Sequence, residues 1–175
     1  MYYRWEEIIK PEECESIINE FKDSNYIEGK VKNGLQGARC TSIHWVDRRH
    51  LLNRAIQSFM LEANIKFFNY AMETSETLQF GKYGVGGKYD WHQDASIELE
   101  ENCRKLSTTV QLSNPDDYVG GDFQFFNGEQ EPDDLKIRKQ GSVIVFDSRD
   151  WHRLTPVTKG VRYSLVLWSS GRRFI

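Results

Sequence analysis

A chain of 175 residues with 39% hydrophobic content can bury one continuous core, and 10 Phe, 8 Tyr and 5 Trp give it a large aromatic payload for a pocket or a β-rich interior. A formal net charge of -3 supplies no overall positive field, which argues against nucleic acid or an anionic lipid surface as a partner and for a peptide, protein or small-molecule substrate. Cys14, Cys40 and Cys103 make neither an even disulfide framework nor a C-x-x-C spacing; Met1 to Glu7 has no apolar signal core, and no run reaches the roughly 18 apolar residues of a membrane span, so the expectation is a cytoplasmic protein with no membrane partner.

Pro11 to Phe21 predicts a short helix: the proline suits a first turn, Glu12, Glu13 and Glu15 complement the positive helix end, and Ile17, Ile18 and Phe21 share a face. Ser24 to Ala38, rich in Gly, Asn and Lys, reads as a hairpin or a mobile loop, and with Lys30, Lys32 and the nearby Arg39 it is a candidate flap or substrate-gripping finger. Leu51, Leu52, Ala55, Ile56, Phe59, Met60 and Ala63 follow helical spacing and predict a second helix with Asp47 as its N-cap. After about Thr77 short apolar or alternating runs take over: Leu78 to Phe80, Leu106 to Leu112, Asp122 to Phe126, Ser142 to Phe146 and Val161 to Trp168. Turn signals such as Gly84-Val-Gly-Gly87, Asn114-Pro-Asp-Asp117, Gly120-Gly121, Asn127-Gly128 and Lys159-Gly160 separate them, as expected of antiparallel strands in a sandwich or barrel. The fold class expected is therefore mainly β with N-terminal helices. No linker or repeat divides the chain, so residues 1–175 are expected to form a single domain, with helical support over about 1–75 and the strand core over about 76–170.

The chemistry concentrates in three places. In Tyr89-Asp-Trp-His92-Gln-Asp94 an imidazole and a carboxylate stand two residues apart, and on extended backbone both face the same side. His152 follows the apolar run ending at Phe146, at a strand end where binding groups are commonly displayed. Two histidines and one carboxylate form the facial ligand set of non-haem iron(II) oxygenases, which leaves positions open for co-substrate and dioxygen. Asp150, two residues before His152, competes with Asp94 for the carboxylate role. Ten residues beyond His152, alternation places Arg162, Ser164, Val166 and Trp168 on one face of an otherwise apolar strand. A buried guanidinium needs a carboxylate, either an internal Asp or a bound dicarboxylate, and Ser164 could add a hydroxyl donor.

Taken in order, Gln79 to Gly86, Tyr89 to Asp94, Leu106 to Asp122, Gly141 to Asp147 and His152 to Arg162 resemble the prolyl 4-hydroxylase-type branch of the 2-oxoglutarate and iron(II)-dependent dioxygenases, in its bacterial and phage-like form. The resemblance implies a double-stranded β-helix (jelly roll) core supported by helices, and a hydroxylase that uses iron(II), 2-oxoglutarate and O2, with ascorbate as an optional addition, and releases succinate and CO2. It also implies that His92, Asp94 and His152 hold the metal, with Asp94 rather than Asp150 as the carboxylate. Arg162 would take the distal carboxylate of 2-oxoglutarate, with Tyr83 lining the same pocket, and Tyr89 and Trp91 would wall the site. Collagen-type prolyl hydroxylases usually carry Lys where Arg162 stands. The nucleic-acid dealkylating branch has a second Arg where Trp168 stands, and halogenating relatives lack the carboxylate that Asp94 retains. The first departure leans toward the other hydroxylases of the group and the other two favour hydroxylation, while the family resemblance itself suggests a peptidyl proline as substrate.

Three alternatives accompany this expectation: hydroxylation of a free amino acid or other small molecule, a zinc hydrolase using the same ligands with Glu98 as base though without an H-E-x-x-H helix, and a non-catalytic β-sandwich binding module.

Overall fold

The computed structural model describes residues 2–29, 38–95, 102–126 and 135–172. Strand β1 (Tyr2–Trp5) opens the chain and is followed by α1 (Pro11–Phe21), β2 (Ile27–Glu28), β3 (Arg39–Cys40), β4 (Ser42–Trp45) and α2 (Leu51–Ala63), which runs into a π-helical turn at Asn64–Phe68. The remainder is extended: β5 (Thr74–Ser75), β6 (Gln79–Tyr83), β7 (Lys88–His92), β8 (Asn102–Gln111), β9 (Tyr118–Gly120), β10 (Phe123–Phe125), β11 (Val143–Asp147), β12 (His152–Leu154), β13 (Val157–Gly160) and β14 (Arg162–Arg172). The major sheet has the order β1-β11-β8-β14-β6-β4-β2, with β5 pairing onto β14. A second sheet, β10-β12-β7-β3, and a two-stranded β13-β9 ribbon complete the double-stranded β-helix, the class expected from the sequence.

Alternation along the central strands divides the major sheet into two chemically different faces. On β8, Leu106 and Val110 belong to the core, as does Leu112 just beyond the strand, while Ser107, Thr109 and Gln111 point the other way; on β14, Leu165 and Leu167 belong to the core while Arg162 and Ser164 point away. Both helices cover the apolar face. Cys14, Ile18 and Phe21 of α1 and Ile56, Met60 and Ala63 of α2 meet Phe80, Val143 and Val145 there. The polar face, turned toward the second sheet, holds the candidate site.

Helix α1 starts as expected at Pro11, and the Lys10 backbone N–H donates to the Glu13 carboxylate at 3.0 Å, one half of a capping box. The expectation for α2 needs correcting: its cap is His50, whose Nδ1 accepts from the Leu52 N–H at 3.2 Å. Asp47 is instead taken up by the backbone N–H and guanidinium of Arg49, at 2.9 and 2.8 Å, in the turn before the helix. Leu51, counted in the apolar stripe, is 77% exposed because it faces outward with Ala55, one turn on, while its neighbour Leu52 packs against the core. Residues 24–38 were expected to form a hairpin or loop. Ile27–Glu28 pairs with Ile43 and Ser42 as an edge strand, whereas residues 30–37, with Lys30 and Lys32, lie outside the described residues, as does Glu98. Strands β1, β3 and β12 carried no clear sequence signal, each being four residues or fewer.

Candidate active site

His92 ends β7 and His152 begins β12, and the two strands pair so that these histidines are direct cross-strand neighbours with ring centroids 4.1 Å apart. A β-bulge in β7 sets Tyr89 opposite Leu154 and His92 opposite His152, so an extra residue is accommodated and Tyr89 and His92 both face the cleft despite their odd spacing. The chain then turns, and Asp94 and Ala95 donate their N–H groups to the Ser148 carbonyl at 2.9 and 2.8 Å. This brings Asp94 Oδ1 to 3.5 Å from His92 Nε2 and Asp94 Oδ2 to 3.5 Å from His152 Nε2. The three ligand-type atoms lie within 4.8 Å of one another. Asp150, the competing carboxylate, takes no part in this cluster; it enters through its main-chain carbonyl.

Protonation follows from the outer contacts. A carbonyl only accepts, so His92 Nδ1–H donates to the Asp90 carbonyl at 2.7 Å and His152 Nδ1–H to the Asp150 carbonyl at 2.9 Å. Both Nε2 atoms therefore face Asp94, and in the neutral tautomer each presents its lone pair there to a cation. Burial pushes the His152 imidazole below its ordinary value, which favours that neutral form. For Asp94 burial opposes ionisation, but His152 and then His92, when an imidazole is protonated and faces it, outweigh burial and hold the carboxyl well below the usual range; a bound cation would supply that positive charge once both Nε2 atoms are unprotonated. Ser107 donates to Asp94 Oδ2 at 2.7 Å and so must accept from Ser148 Oγ, 2.9 Å away, a relay that fixes the carboxylate plane. The turn carrying His152 is clamped by Asp147, which accepts from the Arg149 guanidinium, the Arg149 N–H and the Tyr70 hydroxyl. Two imidazole nitrogens and one ionised carboxylate, pre-oriented on one side of a cleft, are a donor set that fits iron(II).

The cleft has a volume of about 460 Å³, its open mouth included. Its lining holds two groups: the triad, whose histidines meet Tyr89, Phe123 and Phe146, and Arg162 with Tyr83 and Ser164. Tyr89 stacks on His92 at 3.4 Å with planes 14° apart. Trp91 does not wall the site as expected. As the neighbour of inward-facing His92 it points to the outer face, where it meets Phe126 edge-on and lies under the Arg153 guanidinium.

Arg162 is 2% exposed, and no carboxylate pairs with it among the described residues. Its Nη2 donates to Gln111 Oε1 at 2.5 Å and its Nη1 to Ser164 Oγ at 3.2 Å, its Nε is buried with no partner, and its guanidinium lies 5.3 Å from the Tyr83 ring centre. Because Ser164 Oγ accepts from Arg162, its own hydroxyl hydrogen is left to donate elsewhere. A buried, uncompensated cation with an orphaned donor, beside a free hydroxyl donor, fits the carboxylate of a 2-oxo dicarboxylic acid.

Several contributors went unread in the sequence. Arg39, grouped with the flap, lies in β3 opposite Tyr89, its guanidinium 4.8 Å from that ring centre and bonded to Gln79 in the cleft wall. Ser107, Thr109 and Gln111 form the polar half of an alternating strand, a pattern visible in the sequence but ambiguous between solvent and cleft. Trp168 presents a buried, unpartnered indole N–H in the cleft wall. Ser148 lies in a turn with no motif to mark it.

Residues 78–170 match the 2OG-Fe(II) oxygenase superfamily. The chain is 28% identical over 176 residues to a PKHD-type hydroxylase, YbiX, of Escherichia coli O6:K15:H31, covering 96% of this chain and 77% of that one. Its fold is similar to that of a viral collagen prolyl hydroxylase from Paramecium Bursaria Chlorella virus-1, solved as a 2OG complex (TM-score 0.74, 20% identity, 97% of this chain and 96% of that one). It is also similar to a prolyl hydroxylase from Trichoplax adhaerens in complex with a hypoxia inducible factor oxygen degradation domain peptide fragment (TM-score 0.73, 18% identity, 96% and 82%).

Proposed function

The chain belongs to the 2OG-Fe(II) oxygenase superfamily, with iron(II) and 2-oxoglutarate as its cofactors, and from that premise we propose that it hydroxylates a prolyl residue of a peptide or protein, releasing succinate and CO2. In this reading His92, Asp94 and His152 are the iron ligands, and Arg162, Tyr83 and Ser164 hold the distal carboxylate of 2-oxoglutarate. The observation that carries it is Arg162: a buried guanidinium without a carboxylate partner among the described residues, lining the same cleft as a preset two-histidine, one-carboxylate cluster. A molecule that meets both groups needs a metal-chelating 2-oxo acid head and a second carboxylate. The peptide substrate is supported by the hydroxylase relative and by the peptide complex of a protein with the same fold.

Bound iron supplies dioxygen activation coupled to decarboxylation of the 2-oxo acid. The protein's part is placement. Nδ1–H bonds hold both imidazoles with Nε2 inward, and Ser107 holds the Asp94 carboxylate plane. The guanidinium of Arg162 and the hydroxyl of Ser164 fix the co-substrate's tail and so its orientation, while the rings of Tyr89, Phe123 and Phe146 keep bulk water from the reacting end.

Anaerobic titration with iron(II) and 2-oxoglutarate tests the reading: the expected result is a weak visible charge-transfer band that saturates at one equivalent of each. No band, or zinc-dependent hydrolysis instead, would sink it. Mass spectrometry of proline-containing peptides after aerobic turnover should then show a gain of one oxygen on proline; a gain confined to free amino acids would overturn the peptide assignment alone.

A further inference from the structure

The partner that holds Arg162 in place is an amide, and this decides the charge of that part of the cleft. Gln111 is 2% exposed, at the end of β8 opposite Ser164, and lies behind Arg162 rather than in the cleft wall. Guanidinium groups only donate, so the Gln111 carbonyl oxygen must face Arg162 and its amide nitrogen must face Thr109 Oγ1, 3.5 Å away. The usual partner of a buried Arg is a carboxylate, which would leave a neutral pair. Here two of the five guanidinium N–H groups are engaged by uncharged oxygens, which fix the guanidinium plane, while its full positive charge is left uncompensated.

We propose that Gln111 is a positioning residue that sets co-substrate specificity: it orients Arg162 without neutralising it, so that this part of the cleft selects a 2-oxo acid whose tail is a carboxylate over one whose tail is uncharged. The proposal rests on the co-substrate reading above. A carboxylate at position 111 would pair with Arg162 and repel an incoming carboxylate. An apolar side chain would leave the charge but release the anchor.

The test compares equilibrium binding of 2-oxoglutarate and of its C5 amide, 2-oxoglutaramate, by calorimetry on the iron(II)-loaded protein under anaerobic conditions. The wild-type chain is expected to prefer the dicarboxylate. In Gln111→Glu that preference should fall by about tenfold or more, the scale of a hydrogen bond to a charged group. In Gln111→Leu it should fall by a smaller factor, through weaker dicarboxylate binding with the amide's affinity little changed. A merely structural role would weaken both ligands alike and leave the ratio intact, and that result in either variant overturns the proposal. If Gln111→Glu does not fold, Gln111→Leu decides alone. A wild-type chain that shows no preference would instead refute the co-substrate reading itself, whereas intact wild-type preference with unchanged variants would refute only the role of Gln111.

Discussion

At the scale of single residues, the site depends on groups whose contacts leave them nothing else to do. His152 is fixed by its Asp150 carbonyl and by edge-on packing against Phe146, and its free Nε2 points at Asp94. His92→Ala or His152→Ala is expected to lose bound iron in metal analysis of the purified protein and to abolish substrate-coupled succinate formation; a variant with normal iron content and turnover would remove that histidine from the ligand set. Among the described residues the Ser107 hydroxyl bonds to Asp94 and Ser148. Ser107→Ala should therefore weaken iron(II) binding by about 10–100-fold, the range for outer-shell partners of a metal ligand, while the fold melts normally. For Arg162→Ala the expectation is different: iron content is retained and the Kd for 2-oxoglutarate rises by at least about tenfold, since a charge-assisted bidentate contact is lost. An unchanged Kd would take Arg162 out of the co-substrate site.

At the scale of elements, β8 and β14 carry structure on one face and chemistry on the other. Met60 of α2 is fully buried against the apolar face, away from the cleft. Met60→Ala should cost about 2–5 kcal/mol in denaturant unfolding, yet leave the 2-oxoglutarate Kd within about twofold of wild type, because sites that share no partners add independently. A large change in Kd would show that the two faces are coupled. Turns are as exacting as strands here. Gly121 has φ +62°, and a Cβ there would come within 2.9 Å of Val157 and 3.2 Å of the Arg162 side chain, so this bend is closed to larger residues beside the co-substrate anchor.

For the molecule as a whole, burying a cation without a carboxylate and clustering ligands without a metal both oppose folding until ligands arrive. Iron(II) with 2-oxoglutarate at about 100 times its Kd should stabilise the chain by about 2.7 kcal/mol through mass action. For a protein of this size that corresponds to a rise in Tm of about 5–10 °C in an anaerobic thermal scan. At the same ligand concentration the 2-oxoglutarate part of the rise should fall by about half or more in Arg162→Ala, because a tenfold weaker site retains only about 1.4 kcal/mol, and a rise preserved in full there would place the co-substrate elsewhere.

The sequence by itself determined the two helices, the antiparallel body after about Thr77 and the same-face grouping of Arg162 with Ser164, because period and turn chemistry are local properties that residues a few positions apart enforce on one another. It named His92, Asp94 and His152 as candidates but left Asp150 in contention until a resemblance was invoked. Only the tertiary structure brought His92 and His152 into one cross-strand pair, set the Asp150 main-chain carbonyl against His152 Nδ1, and used a bulge to turn Tyr89 inward. Strict alternation along β7 would have placed Tyr89 and His92 on opposite faces. Gln111 likewise reads as one polar residue on an alternating strand, and its partnership with Arg162 exists because β8 and β14 pair in one register across 51 positions of sequence. Register and bulges are set by pairing between distant segments, and no local pattern encodes them.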